Sequence, residues 1–311
     1  MPRSLPLRYL LPLLLAALSH PAFAQEIRHR FLAKDESRAQ VHYVDQVEPA
    51  KDWTIKLPAK GRDLQLIGQG RLLVSMPDGY REYQLADQKL VRELHGFPGT
   101  ESARRLPDGR TILARNIDHS VTLQELTPDN QPLRKAAFPG FGTRVVRVTP
   151  QDTIFFGSGP NLLEVNLQGE TLHKFTLPGG SWVYMALRRP DGHLLVAGGY
   201  NPSLFELDAE GQVVRTLGGK QSPDAAKLGF HFFGCLQVLR NGHTIVANWT
   251  GHGANDSTKG AQVLELNADG KVVWSWHDAQ RAGSIHGVIV LDDLDPTLLN
   301  DDRSSVLGPV R

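Results

Sequence analysis

The sequence contains one cysteine, Cys235, so no disulfide can form within the chain and stability has to come from burial. It lacks a long apolar run: Tyr9–Leu18 falls short of the roughly 20 residues that a membrane-crossing helix needs. It also lacks an excess of charge of one sign. Lys and Arg number 34 against 33 Asp and Glu, which gives no general attraction to nucleic acid or to an anionic membrane. HxH, HExxH and CxxC spacings are absent, and so is a G-x-S-x-G nucleophile elbow. Zinc-protease and serine-hydrolase readings therefore have no motif to rest on, although Asp118-His119 by itself could suggest part of a triad.

What is present begins with a leader. Arg3 and Arg8 flank the apolar run, and Ala22-Phe23-Ala24 is a small-x-small cleavage site, so residues 1–24 read as a secretory signal peptide. The expected product starts at Gln25, is exported, and is periplasmic in a Gram-negative source. Losing the two leader arginines moves its formal charge from +1 to −1. Cys235, in the apolar stretch FFGCLQV, reads as an inert core residue.

Residues 25–311 read as a repeat array. Inner turns recur at Gln69-Gly70, Asp108-Gly109, Gln151-Asp152, Asp191-Gly192 and Asn241-Gly242, spaced by 39, 43, 40 and 50 residues. An apolar run follows each turn: LLVS, TILA, TIFF, LLVA and TIVA. Pairs of this kind between apolar runs suit tight hairpins, because Gly and Asn tolerate positive φ. A third strand recurs with Glu or Gln, at Gln84, Glu125, Glu164, Glu206 and Glu265, and a second turn follows each time. Four short strands in about 40 residues are the signature of a propeller blade. The recurring carboxylate reads as structural, since chemistry does not need a copy in every blade.

The two ends supply a sixth blade. Ser284–Val290 matches a first strand, the tail beyond Thr297 a second, His42–Asp45 a third and Trp53–Leu57 a fourth. The fold class is thus all-β, a six-bladed β-propeller closed by pairing N-terminal with C-terminal strands. Gln25–Glu36 is charged and unpatterned and reads as a lead-in. Asn241-Gly242-His243-Thr244-Ile245-Val246 and Ala268-Asp269-Gly270-Lys271-Val272-Val273-Trp274 resemble the repeats of the pyrroloquinoline-quinone-like and NHL-type propeller superfamily. The resemblance implies the fold. It does not imply a bound quinone, because the cofactor-stacking motifs of the larger quinone dehydrogenases are missing, and the sequence leaves any other cofactor open.

In this topology the loops joining strands two and three share a face with the loops entering each blade, and the short turns occupy the opposite face. The long-loop face gathers candidate ligand-binding residues Asn116, Asp118, His119, Trp182, Tyr200, Asn201, Asn248, Trp249 and His252. His231 and His286 begin inner strands of neighbouring blades. With Tyr184 and Arg144 they are candidate catalytic residues, and with His252 a candidate metal set. His193 and His243, after inner turns, are expected in solvent, and Trp274 and Trp276 in blade-to-blade packing. The loop Trp249–Gly260 is read as the insertion behind the spacing of 50, and so as a pointer to a site. The leading expectation is a monomer that binds a small molecule, glycan or peptide at the long-loop face. The alternatives are a lyase or hydrolase using His231 and His286, metal-assisted or not, and a scaffold for another envelope protein.

Overall fold

The computed structural model describes residues 26–149, 151–253, 255–301 and 308–309, so the leader lies outside it. The apolar runs after the inner turns become second strands: Arg71–Met76, Thr111–Ile117, Ile154–Ser158, Leu194–Ala197 and Thr244–Trp249. Nearly all their side chains are buried on both faces, because each sheet is sandwiched between two others. This double coverage explains why the runs are continuous instead of alternating. At the five inner turns, Gly70, Gly109, Asp152, Gly192 and Gly242 have φ from 60° to 88°, the conformation those turn residues were expected to supply.

Five sheets have four antiparallel strands in sequence order, a sixth joins strands from both ends of the chain, and a two-stranded pair links Asn300–Asp301 to Gly308–Pro309. Blade 1 comprises Leu64–Leu66, Arg71–Met76, Gly79–Gln84 and Leu90–Leu94. Blade 2 runs from Thr100–Arg105 to Pro132–Pro139, blade 3 from Val146–Val148 to Thr171–Thr176, and blade 4 from Met185–Arg188 to Val213–Gly218. Blade 5 runs from Phe232–Val238 to Val272–Trp276. Blade 6 closes the ring with Ile285–Val290 on the inside, followed by Arg30–Asp35, Gln40–Asp45 and Trp53–Lys56. The fold is a six-bladed β-propeller.

Two details correct the sequence reading. The second strand of blade 6 is Arg30–Asp35, from the segment read as a lead-in, and not the C-terminal tail. Phe31 pairs with Val290 and Lys34 with Gly287, and five of the six side chains in the strand are buried. The tail instead docks on the inner turn of blade 1, where Gln69 and Gly70 donate their N–H groups to Thr297 and Pro296. The second correction concerns the spacing of 50. The extra residues between Gly192 and Gly242 lie in the connection from blade 4 to blade 5, which holds the helix Pro223–Leu228. Ser222 caps that helix by accepting from Asp224 N–H, and Gly229 ends it at φ 63°. Trp249–Gly260 is a separate long loop packed beside the helix, with Ala261 N–H donating to Leu228.

The third-strand carboxylates tie blades together. Glu82 of blade 1 pairs with Arg105 of blade 2 at 2.8 Å, and Glu164 of blade 3 with Arg188 of blade 4 at 2.6 Å. Glu265 of blade 5 meets His29, just ahead of the closing strand, at 2.9 Å. His193 and His243 are half-buried, not free in solvent: they hydrogen-bond Glu206 at 3.1 Å and Glu265 at 2.6 Å. Trp274 and Trp276 are buried at the junction with blade 6, edge-on to Phe31 at 5.9 and 5.3 Å.

Candidate functional site

Inner strands start at the long-loop face, so the residue that opens each one projects into a common mouth. The six openings divide by chemistry. Blades 1 to 3 contribute Arg62, Glu101 and Arg144: Glu101 accepts from Arg62 Nε at 2.6 Å and from Arg144 at 3.3 Å. Blades 4 to 6 contribute an aromatic half. Trp182 and Tyr200 are both 45% exposed and stand edge to face at 6.2 Å. Tyr200 packs on Phe232 at 4.8 Å, and Phe232 on Trp249 at 5.5 Å. Below this level the channel narrows to a cavity of about 30 Å³ lined in part by Val145, Met185, Cys235 and Val288. That is room for little more than a water molecule, so a larger ligand would rest on the mouth.

His286 sits at the base of the aromatic half. Its Nδ1 is 2.8 Å from the hydroxyl of Tyr184, and its Nε2 is buried without a hydrogen-bond partner. Burial, reinforced by the charges of Arg62, Lys34, Arg144 and His252, holds its pKa well below the usual histidine value, so the ring is neutral. Burial likewise pushes the Tyr184 hydroxyl far up, leaving it protonated. Glu36, at the end of the closing strand, accepts from Trp249 Nε1 at 3.4 Å and lies 3.3 Å from His252 and 3.9 Å from Lys60.

The three histidines do not converge. His231, His286 and His252 surround one ring, Trp249, at centroid distances of 5.8, 5.1 and 4.6 Å. The indole separates them, so the metal set expected from sequence is not assembled. Among the described residues, Asp191, His193 and Glu206 form the one group with ligand atoms within 4.8 Å of one another, and it lies on the opposite face.

Several candidates serve the scaffold. Asn248 is fully buried and saturated: it donates to Gly229 and Ala261 carbonyls at 3.0 and 2.7 Å and accepts from His231 N–H at 2.9 Å. Asn116 works the same way, bonding both backbone groups of Thr143 at 2.9 Å while touching Glu101 at 3.3 Å. Asp118 and His119 are the exposed two-residue turn of blade 2, with φ of 46° and 57°. Asn201 holds its own turn by accepting from Ser203 Oγ at 3.0 Å. Sequence reasoning missed Arg62, Phe232, Glu36 and Lys34; the last two fall in the segment set aside as a lead-in. Asn248→Ala is expected to lower stability by about 2–3 kcal/mol, measured by urea unfolding, because it strands buried backbone groups.

No protein-family model matches the chain, and no curated protein matches it. Solved structures do. A protein of unknown function from Bacteroides caccae is 20% identical with a TM-score of 0.71, over 86% of this chain and 100% of that one. Virginiamycin B lyase from Staphylococcus aureus, solved with quinupristin, is 10% identical with a TM-score of 0.52 over 89% of each chain. The calcium-binding protein regucalcin from Agrobacterium tumefaciens is 13% identical, with a TM-score of 0.53, over 81% of this chain and 92% of that one. What is shared is the propeller fold. The site has to be judged on its own residues.

Proposed function

We propose that the protein binds a small organic molecule across the long-loop mouth, with one apolar end and one polar end. The division of the mouth carries this reading: Trp182, Tyr200 and Phe232 on one half face Arg62, Glu101 and Arg144 on the other. Exposing two large aromatic rings side by side costs solvation, and a ligand stacked on them recovers it. The catalytically inactive virginiamycin B lyase solved with quinupristin has the same fold, and a ligand on that protein lends the reading support. A thermal-shift screen of small molecules should yield compounds that stabilise the native protein by several degrees and a Trp182→Ala/Tyr200→Ala variant by far less. Compounds acting equally on both would overturn the reading.

The neutral, unpartnered imidazole of His286, held by Tyr184, supports a second reading, acid/base catalysis on the bound molecule. It requires a compound from that screen to be turned over, with turnover lost and binding kept in His286→Gln. We also infer export through the leader at residues 1–24. Amino-terminal sequencing of protein from a periplasmic extract should start at Gln25, and an intact Met1 would contradict this.

A further inference from the structure

The ligand's polar end can be narrowed by the charge around it, an inference that rests on the binding reading above. Three cations stand at the polar end of the mouth, Lys60, Arg62 and Arg144, and a fourth, Lys34, is buried below them. One carboxylate, Glu101, is shared by the two guanidiniums, at 2.6 and 3.3 Å. Glu36 stands 3.9 Å from Lys60 and divides its oxygens among Lys60, His252 and Trp249. Lys34 is fully buried beneath the loop of Gly61, and its ammonium has one hydrogen bond, to Asp35 carbonyl at 3.0 Å. The Asp35 carboxylate accepts from Gly283 N–H at 2.6 Å, Arg38 N–H at 3.0 Å and Ser37 Oγ at 3.1 Å, and with Glu36 it offsets part of the Lys34 charge. Arg104 and Arg147, deeper in the channel wall, are held by Asp63 and are not part of this count.

The potential at the mouth is therefore positive. Arg62, Lys34 and Arg144 all act on His286, whose ring is kept neutral first of all by burial. Between these cations and the aromatic half sits a buried polar atom with no partner, His286 Nε2. A neutral ligand leaves the excess charge unanswered. A cationic one meets net repulsion, since Lys60, Arg62 and Arg144 outnumber Glu101 and Glu36.

We propose that the ligand is an organic anion whose apolar or aromatic body lies on Trp182 and Tyr200, which Phe232 supports from beneath, and whose carboxylate, sulfonate or phosphoryl group is turned toward Arg62 and Arg144. Guanidinium pairs suit such groups because the planar fork donates two parallel hydrogen bonds to a planar or tetrahedral oxyanion. Glu101 orients both guanidiniums and offsets one of their two charges, which leaves one over.

Two fluorescent probes with nearly the same aromatic body test this: 8-anilinonaphthalene-1-sulfonate, an anion, and N-phenyl-1-naphthylamine, which is neutral. The native protein should bind the anion at least about tenfold more tightly, the equivalent of one charge-assisted contact. Arg144→Gln, at a half-exposed position that folding tolerates, should weaken the anion about tenfold and change the neutral probe less than about twofold. Arg62→Gln should do the same. Trp182→Ala should weaken both probes. Equal affinities for the two probes, with Trp182→Ala still weakening both, would overturn the anion assignment and leave the binding reading intact. Probe binding indifferent to Trp182→Ala and to Arg144→Gln would overturn both.

Discussion

Trp276→Ala is expected to destabilise the protein by about 3–5 kcal/mol, the usual cost of deleting a buried indole. Trp276 is 6% exposed, meets Phe31 edge-on at 5.3 Å, and carries the Arg281 guanidinium over its ring at 5.8 Å. Phe31 belongs to the strand that closes the ring, and blade 6 takes its inner strand from one end of the chain and its other three from the opposite end. The cavity would thus open at the seam where the two termini meet. Unfolding of that seam should be the first step affected, so a larger share of the loss should appear as faster unfolding than for a core residue within one blade. Urea denaturation gives the equilibrium loss, and stopped-flow unfolding gives the kinetic share. Val273→Ala, on the partly exposed outer edge of the same strand, should cost less than about 1 kcal/mol. Similar losses for Trp276→Ala and Val273→Ala would show that the seam is not organised around the indole.

The blades were legible in the sequence because their informative strands lie inside. A second strand such as Leu194–Ala197 is covered on both faces, so its residues are apolar without interruption, and the adjoining turn demands positive φ. Outer strands offered little: Thr171–Thr176 has almost no buried side chain, so its sequence is free to vary. Arg30–Asp35 was missed for a different reason. It begins with an arginine, holds a buried Lys34 and Asp35, and ends at Glu36, which together look like a solvated lead-in. Those charges are buried because partners far away in sequence satisfy them, as Gly283 does for Asp35, and composition cannot show such partners. The helix Pro223–Leu228 did carry a signal, Ser222 before it, Pro223 and Asp224 in its first turn and Gly229 after it.

The site was legible as a face and not as a set of roles. Loop length and blade topology lead to the mouth, and Trp182, Tyr200, Tyr184, Arg144 and His286 are there. Asn248 and Asn116 looked like ligand groups because amides near a mouth can serve either a ligand or the backbone. Only geometry distinguishes them: Asn248 spends its amide on Gly229, Ala261 and His231. The histidines failed to form a metal set because each packs against Trp249, a separation of rings that spacing along the chain cannot reveal.

Stability should depend on pH in a non-monotonic way above neutrality, because His29, just ahead of the closing strand, and Lys34, within it, shift in opposite directions. Burial alone would push His29 down, but hydrogen bonds to Asp292 at 2.6 Å and Glu265 at 2.9 Å outweigh it and raise the pKa to about 9. A raised histidine stabilises the fold fully below its unfolded value near 6.5, and that contribution is lost as pH climbs through 9. At 1.36 kcal/mol per unit it amounts to about 3 kcal/mol. Burial lowers Lys34 to about 8, against partial opposition from Asp35 and Glu36. Its charged form is disfavoured in the fold, so stability rises again as pH passes from about 8 toward the unfolded lysine value near 10.5. Below 6.5 the neutral His286 works the other way, since the unfolded chain takes up that proton first and stability falls with pH. The urea midpoint should peak near pH 6.5, decline to a shallow minimum between 8 and 9, and then recover. His29→Gln should remove the decline and leave only the rise, and Lys34→Met should remove the recovery. A midpoint that stays flat from pH 6.5 to 9 in the native protein would show that the clasp of His29 on Glu265 and Asp292 adds nothing to ring closure.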